Sequence, residues 1–303
     1  MSFKNNTSIK KTEDSRSELT LESLRKTADA EPEGLFIKDI VIRNNAAVIT
    51  VCDEDTETVF RLLPDLYATS GFYKDQKITT EQYARLSSLH HYSHAYSSVI
   101  RKLTMKDCSE SEIREVLTNH KYLTEKQRTE ILSEMKQKGF INDEELVRNY
   151  IEIAQGNLYG SNRIRASLLK KGIESELIDS YLCSDESEEE IRRAMAKCET
   201  AMKGLDRKSH REFLRSLQMK LVTAGYSPSI ARIAIGQMDF EKDEDLEKVN
   251  LIREYENAYR KYSRKYGGED LRMRILASLE RKGFRYGDVK EYMNERGQED
   301  EDQ

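Results

Sequence analysis

The sequence predicts a mostly α-helical fold: tandem three-helix, helix-turn-helix-like repeats in an elongated array, preceded by a small β-rich module. Three observations predict it. Three prolines and fourteen glycines in 303 residues are too few breakers for an all-β chain, which turns often. Beyond residue 79, apolar residues recur at helical spacing, interrupted by short breaks. One pattern of apolar residues then occurs four times, with a turn glycine in three of the copies.

Residues 1–33 are polar and poor in aromatics, which reads as a mobile arm. Residues 34–78 form the β-rich module. Two runs, Leu35 to Arg43 and Ala46 to Cys52, flank Asn44 and Asn45, and a third runs from Glu57 to Leu63. Asparagine tolerates the positive φ that a two-residue hairpin requires. Three strands are marginal alone, so the sheet is expected to lean on a helix starting near Thr80.

Residues 79–140 then hold this lead helix and the first three-helix unit, 141–184 the second unit, 185–240 the third and 241–297 the fourth, with 298–303 an acidic tail. Equivalent core positions are Ile113, Ile164, Leu217 and Ile275, then Leu117, Leu168, Leu221 and Leu279, at a period of 51 to 58 residues. Turn glycines follow at 172, 225 and 283, where a helix must end in the left-handed region. After the turn, Leu123, Ile173, Tyr226 and Phe284 plug between helices. Leading helices are expected at His94 to Met105, Asp143 to Gln155, about Glu189 to Lys203, and Leu246 to Lys265.

Helix starts are marked as well. Ser109 with Glu112, and Asn142 with Glu145, have capping-box spacing. Ser161 can cap the basic helix after it, and Ser227 precedes a proline at the tolerated first position. Between Gln155 and Ser161 stands Gly-Asn-Leu-Tyr-Gly. Its two glycines are expected to turn the chain, with Gly160 in a conformation unfavourable for other residues and Tyr159 packed on the following helix. The segment would be a joint fixing the angle between the first two units.

The net charge of −5 hides a segregated pattern. Acidic residues crowd into Ser184 to Glu190, Asp239 to Glu247 and the tail. From Arg192 to Arg232 ten basic residues face three acidic ones, and from Arg253 to Arg285 ten face five. Basic modules between acidic connectors can bind a polyanion despite an acidic total; solvated helix faces would look the same. By sign and helical clustering, the candidate contacts are Arg163, Arg165, Lys170 and Lys171, then Arg207, Lys208, Arg211 and Arg215. Tyrosines 255, 259, 262 and 266 recur at helical spacing and read mostly as core. Tyr262 or Tyr266, beside Arg264 and Lys265, is the exception able to stack on a base.

Several elements in order carry a family resemblance. Gly139-Phe140-Ile141-Asn142-Asp143 is followed by Tyr150, then by Tyr159-Gly160-Ser161-Asn162-Arg163-Ile164 leading into a basic helix, then by Lys171-Gly172-Ile173. Over roughly residues 94 to 235 this resembles the centre of the RecX family, regulators of the RecA recombinase, and the β-rich leader resembles the extension of longer members. The resemblance implies a non-enzymatic protein that binds the RecA filament and the single-stranded DNA within it, and most often inhibits the recombinase. Two departures stand out: residues 246 to 296 look like a fourth unit beside the family's usual three, and Glu-Ile-Ala-Gln-Gly-Asn-Leu replaces an arginine-rich run before Tyr159.

Other chemistry is poorly supported. Cys52, Cys108, Cys183 and Cys198 form no metal or disulfide pattern and read as reduced thiols. His90 and His94 have the spacing of a metal pair but no third ligand. No phosphate-binding loop is present, so no cofactor or metal is expected. No apolar run reaches the ~20 residues of a membrane span, and the amino terminus lacks the apolar stretch of a signal peptide. The expectation is a cytoplasmic monomer without a membrane partner. The competing function is a stand-alone helix-turn-helix-like DNA-binding protein. Its recognition helices should carry Arg, Asn and Gln, whereas third helices such as Glu174 to Leu182 are acidic or mixed.

Overall fold

The computed structural model describes residues 34–43, 45–53, 56–182 and 188–301, the last five as backbone only. The expected arm, Cys183 and the end of the tail lie outside these residues. The chain divides into two compact units, Met1–Ile141 and Asn142–Gln303.

In the first, strands β1 (Phe36–Arg43), β2 (Ala46–Cys52) and β3 (Glu57–Leu62) form an antiparallel meander in the order β1-β2-β3. Asn45 supplies the hairpin's positive φ of 62°. Ile37, Ile49, Val51, Phe60 and Leu62 are buried on one face. They pack against the short helix α1 (Pro64–Ser70) and the start of α2 (Thr80–Met105), where Tyr83 meets Phe60 edge to face at 5.3 Å. The sheet therefore leans on the helix at Thr80, as expected. The helix also anchors the strand's backbone: Leu63 N–H donates to Ser93 Oγ at 3.0 Å and Arg61 N–H to His90 Nδ1 at 2.9 Å.

The same helix serves a second core. Ala95 and Val99, on its far half, pack with α3 (Glu110–Asn119) and α4 (Glu125–Gln137) around Ile113, Leu117, Leu123, Ile131 and Met135. Both of its duties are stapled at the start by a Thr79–Gln82 capping box, and α3 is stapled by the expected Ser109–Glu112 box.

The second unit holds three helical triplets. They are α5 (Asp143–Gly156), α6 (Ser161–Lys170) and α7 (Ser175–Leu182); α8 (Glu188–Ala201), α9 (His210–Thr223) and α10 (Pro228–Gln237); and α11 (Glu244–Tyr262), α12 (Gly268–Arg281) and α13 (Tyr286–Glu301). Every repeated core position is buried: Ile164, Leu168 and Ile173; Leu217, Leu221 and Tyr226; Ile275, Leu279 and Phe284. The turn glycines at 172, 225 and 283 take φ of 74°, 100° and 92°. Each fully buried leucine or isoleucine contributes about 1.5–3 kcal/mol of transfer free energy, so each triplet rests chiefly on its own small core.

Three expectations about the segment after α5 are corrected. The sharp turn is made by Leu158, whose φ is 57°, while Gly156 still belongs to the helix. Gly160 has φ −78° and ψ 159°, an extended conformation open to any residue. Its reason for being glycine is close approach: a β-carbon there would lie 2.3 Å from Gly225 C and from Tyr226 N. Ser161 does not cap α6; Gly160 holds the cap position, and Ser161 Oγ donates instead to Glu190 Oε1 at 2.9 Å. The segment thus meets the triplet of α8 to α10, the unit that follows its own.

Candidate nucleic-acid interface

The contact at Gly160 is one of a pair built alike. Gly160 N–H donates to Ala224 O at 2.9 Å and Asn162 N–H to Gly225 O at 3.1 Å. A turn from one triplet therefore sits on the amino terminus of a middle helix in the triplet before it. One triplet later, the Gly283 turn sits on the start of α9: Ser209 Oγ donates to Lys282 O, and a β-carbon on Gly283 would lie 2.6 Å from Ser209 Oγ.

Each joint also receives a buried glutamate from the next leading helix. Glu190, 6% exposed, accepts from Ser161 N–H at 3.2 Å, and Glu247, 8% exposed, accepts from His210 N–H at 2.8 Å. Both carboxylates therefore satisfy an orphan donor at a helix start, where the helix dipole favours negative charge. The second joint is further tied by Asn250, whose Nδ2 donates to Asp206 O at 2.9 Å and Lys208 O at 3.0 Å, and by Arg253, which donates to Arg207 O.

On this frame the candidate cations separate into two kinds. Some are committed to the fold. The Arg163 guanidinium lies 3.9 Å over the Tyr159 ring, with its β-carbon against the Gly225 turn; Tyr159 thus packs on the following helix as expected. Arg165 pairs with Asp179, and Lys208 donates to Ser216 Oγ at 2.7 Å with Glu212 at 3.6 Å. Lys171 is half-buried at the end of α6. Others stand in solvent. Lys170, Arg207, Arg211, Arg264 and Lys265 are exposed and have no ion pair among the described residues. Arg215 reaches Glu212 only at 4.0 Å and is 75% exposed.

The motif residues hold the backbone. Gly139 ends α4 with φ 73°, Asn142 Oδ1 accepts from Glu145 N–H at 3.1 Å, and Asp143 opens α5. Tyr150 packs on the core that buries Ile164. Of the tyrosines, Tyr255 is buried, Tyr262 half-buried and Tyr266 covered by the Arg274 guanidinium at 3.8 Å. His90 is absorbed by the β3 contact, and no cluster of three metal-ligating side chains occurs among the described residues. Cys52, Cys108 and Cys198 are buried, and burial pushes the Cys198 thiol up to about 11.

No family profile matches the chain. It is 29% identical over 227 residues to the regulatory protein RecX of Streptococcus mutans serotype c, spanning 73% of this chain and 85% of that protein. It is 28% identical over 236 residues to the regulatory protein RecX of Staphylococcus carnosus, spanning 75% and 85%. Over most of their length, the chain is thus similar to RecX regulatory proteins. A crystal structure of regulatory protein RecX shares its fold with a TM-score of 0.50 at 21% identity. That match takes in 98% of the solved chain and 66% of this one, so this chain carries residues beyond the shared fold.

Sequence reasoning missed the joint residues Glu190, Glu247, Asn250 and Arg253. A signal existed: each glutamate is the last residue of an acidic segment that otherwise reads as a connector.

Proposed function

We propose that this protein is a RecX-type regulator that binds along the RecA–single-stranded-DNA filament and restrains the recombinase, with no catalysis of its own. One observation carries the reading: the joint at Gly160–Gly225 recurs at Ser209–Gly283, in each case with the start of a middle helix donating to the carbonyl before a turn glycine. Each of these joined triplets exposes cations, namely Lys170, then Arg211 and Arg215, then Arg264 and Lys265. A polymer of protein and phosphate, itself periodic, is the partner such a series fits. The matched relatives are named regulatory proteins, which supports a regulatory role.

The test is titration of the protein into the RecA ATPase reaction on single-stranded DNA. A dose-dependent fall in rate is expected; no change at saturating protein refutes the reading. Charge reversal at Lys170, Arg211 and Arg215 together should weaken inhibition. It should also flatten its salt dependence, by about 0.7 in log–log slope for each single-strand phosphate no longer neutralised.

A further inference from the structure

We propose that the free edge of β1 joins two copies of this chain, each adding its β1 antiparallel to the other's so that one sheet runs through both. The edge is half closed already. At its start Ile37 N–H donates to Gln76 O at 2.9 Å, Asp75 N–H to Ile37 O at 2.8 Å and Ile78 N–H to Leu35 O at 3.0 Å. From Asp39 to Arg43 no strand or bridge pairs with this edge among the described residues. The opposite edge, β3, is met by His90 and Ser93 of α2. An unpaired edge is a template for another strand, and chains blunt it with lysine, bulges or proline. Here Lys38 and the bulge beside it sit at the end already paired, while the open end reads Ile40-Val41-Ile42, with Ile42 66% exposed.

Register decides which backbone groups are free. Ile37 turns its N–H and C=O away from β2, toward residues 75 and 76. The extra residue at Lys38 shifts the alternation by one, so beyond it Ile40 and Ile42 face the open edge and Val41 faces β2. Side chains alternate with the pleat. Ile40 lies opposite Ile49 and Ile42 opposite Ala47 on the core face, with Asp39, Val41 and Arg43 on the other.

Self-complementarity selects the partner. About a two-fold axis at Val41, Ile40 meets the partner's Ile42, and these outward backbones exchange both hydrogen bonds. Ile42 also gains an apolar neighbour in the partner's Ile40. The same register sets Asp39 against the partner's Arg43, an opposite-charge pair made twice. Among the described residues Arg43, exposed, has no ion pair, and Asp39 has Lys74 alone, at 3.3 Å. A strand of unrelated sequence would satisfy the backbone only, whereas this chain's own β1 satisfies backbone, charge and apolar surface in one register. The contact is short, so the dimer is weak and forms as concentration rises. The monomer expected from the sequence is its dissociated form.

The experiment is sedimentation equilibrium of the full chain, without recombinase, from low micromolar to submillimolar protein. Wild type should pass from monomer to dimer. Ile42→Pro removes an N–H that only the partner uses, at a place where an edge strand tolerates proline, and should stay monomeric while melting like wild type. Arg43→Asp and Asp39→Arg should each stay monomeric, and the two together should dimerise again, because the swap restores the pairing. Val41→Cys reads the register. It faces itself across the axis at the ~4.5 Å Cα separation of a non-hydrogen-bonded pair and should form an interchain disulfide on mild oxidation, which wild type should not. If Ile42→Pro unfolds, the charge swap and the cross-link decide alone. A monomer at every concentration, a dimer that Ile42→Pro leaves intact, or a dimer in which Val41→Cys stays uncrosslinked would each overturn the proposal. With no recombinase present, none of these outcomes bears on filament binding.

Discussion

Replacing Gly160 by alanine tests the joint with a single carbon. The backbone at this residue, φ −78° and ψ 159°, accepts alanine without strain. The change by itself would even stabilise by about 0.4–1 kcal/mol through the unfolded chain. What opposes it is space. The new carbon would lie 2.3 Å from Gly225 C, 2.3 Å from Tyr226 N and 2.5 Å from Gly225 O, where carbon contacts settle at about 3.5–4.0 Å. All three are backbone atoms of a turn that cannot rotate aside, so α6 and the turn must part by roughly an ångström. Overpacking of this kind costs about 1–3 kcal/mol. Parting also strains the bonds from Gly160 N–H to Ala224 O and from Asn162 N–H to Gly225 O, worth about 0.5–1.5 kcal/mol each. The expected loss is about 2–6 kcal/mol. Gly156→Ala is the control, since a β-carbon there meets nothing within 4 Å. The assay is calorimetric melting together with hydrogen exchange at the Gly160 and Asn162 amides. Gly160→Ala should melt lower and exchange these two amides faster, and Gly156→Ala should do neither. If the two variants melt alike with equal protection, the close approach does not hold the triplets together and the joint argument fails.

Three further outcomes follow from the same packing. Glu247→Ala strips the acceptor from the buried His210 amide and should cost about 1–3 kcal/mol, whereas Glu247→Gln, which keeps an oxygen in place, should recover most of the loss in a urea melt. Leu168→Ala should destabilise its triplet by about 2–5 kcal/mol, read as a lower unfolding midpoint with the other triplets little changed. Burial, and then the His94 charge, hold His120 below its usual range. The unfolded chain thus takes up a proton the fold resists, and stability should drop as the pH falls below about 6.5, with His120→Gln flattening that drop.

The helical architecture is legible in the sequence because it depends on local signals. Ile164 and Leu168, four residues apart before Gly172, give face, direction and stop within one turn of chain. The strands are legible for the same reason, their ends falling within a residue of Phe36–Arg43, Ala46–Cys52 and Glu57–Leu62. What escapes depends on atoms distant in sequence. Gly160 reads locally as a residue of unusual φ, because that is what glycine most often means. Its actual reason lies 65 positions away in Gly225. Leu158, a residue with no propensity for positive φ, takes the turn instead.

The joint also resists alignment. Counting back from the turn glycines matches Ile164 with Leu217, yet α9 has fourteen residues where α6 has ten. The added turn lies at the amino-terminal end, so the residues that dock, Gly160 and Ser209, fall out of register by about one helical turn. The quantity shared between joints is therefore a place, the exposed amides of a helix start, and not a residue type. Glycine provides it by letting the backbone come close, and serine by offering a hydroxyl. A glutamate from the last position of an acidic segment then closes both. The acidic segments that lower the net charge are thus partly structural. They end in the carboxylates that hold basic triplets to one another, and so the positive surfaces are kept in series by charges that, in composition alone, argue against a polyanionic partner.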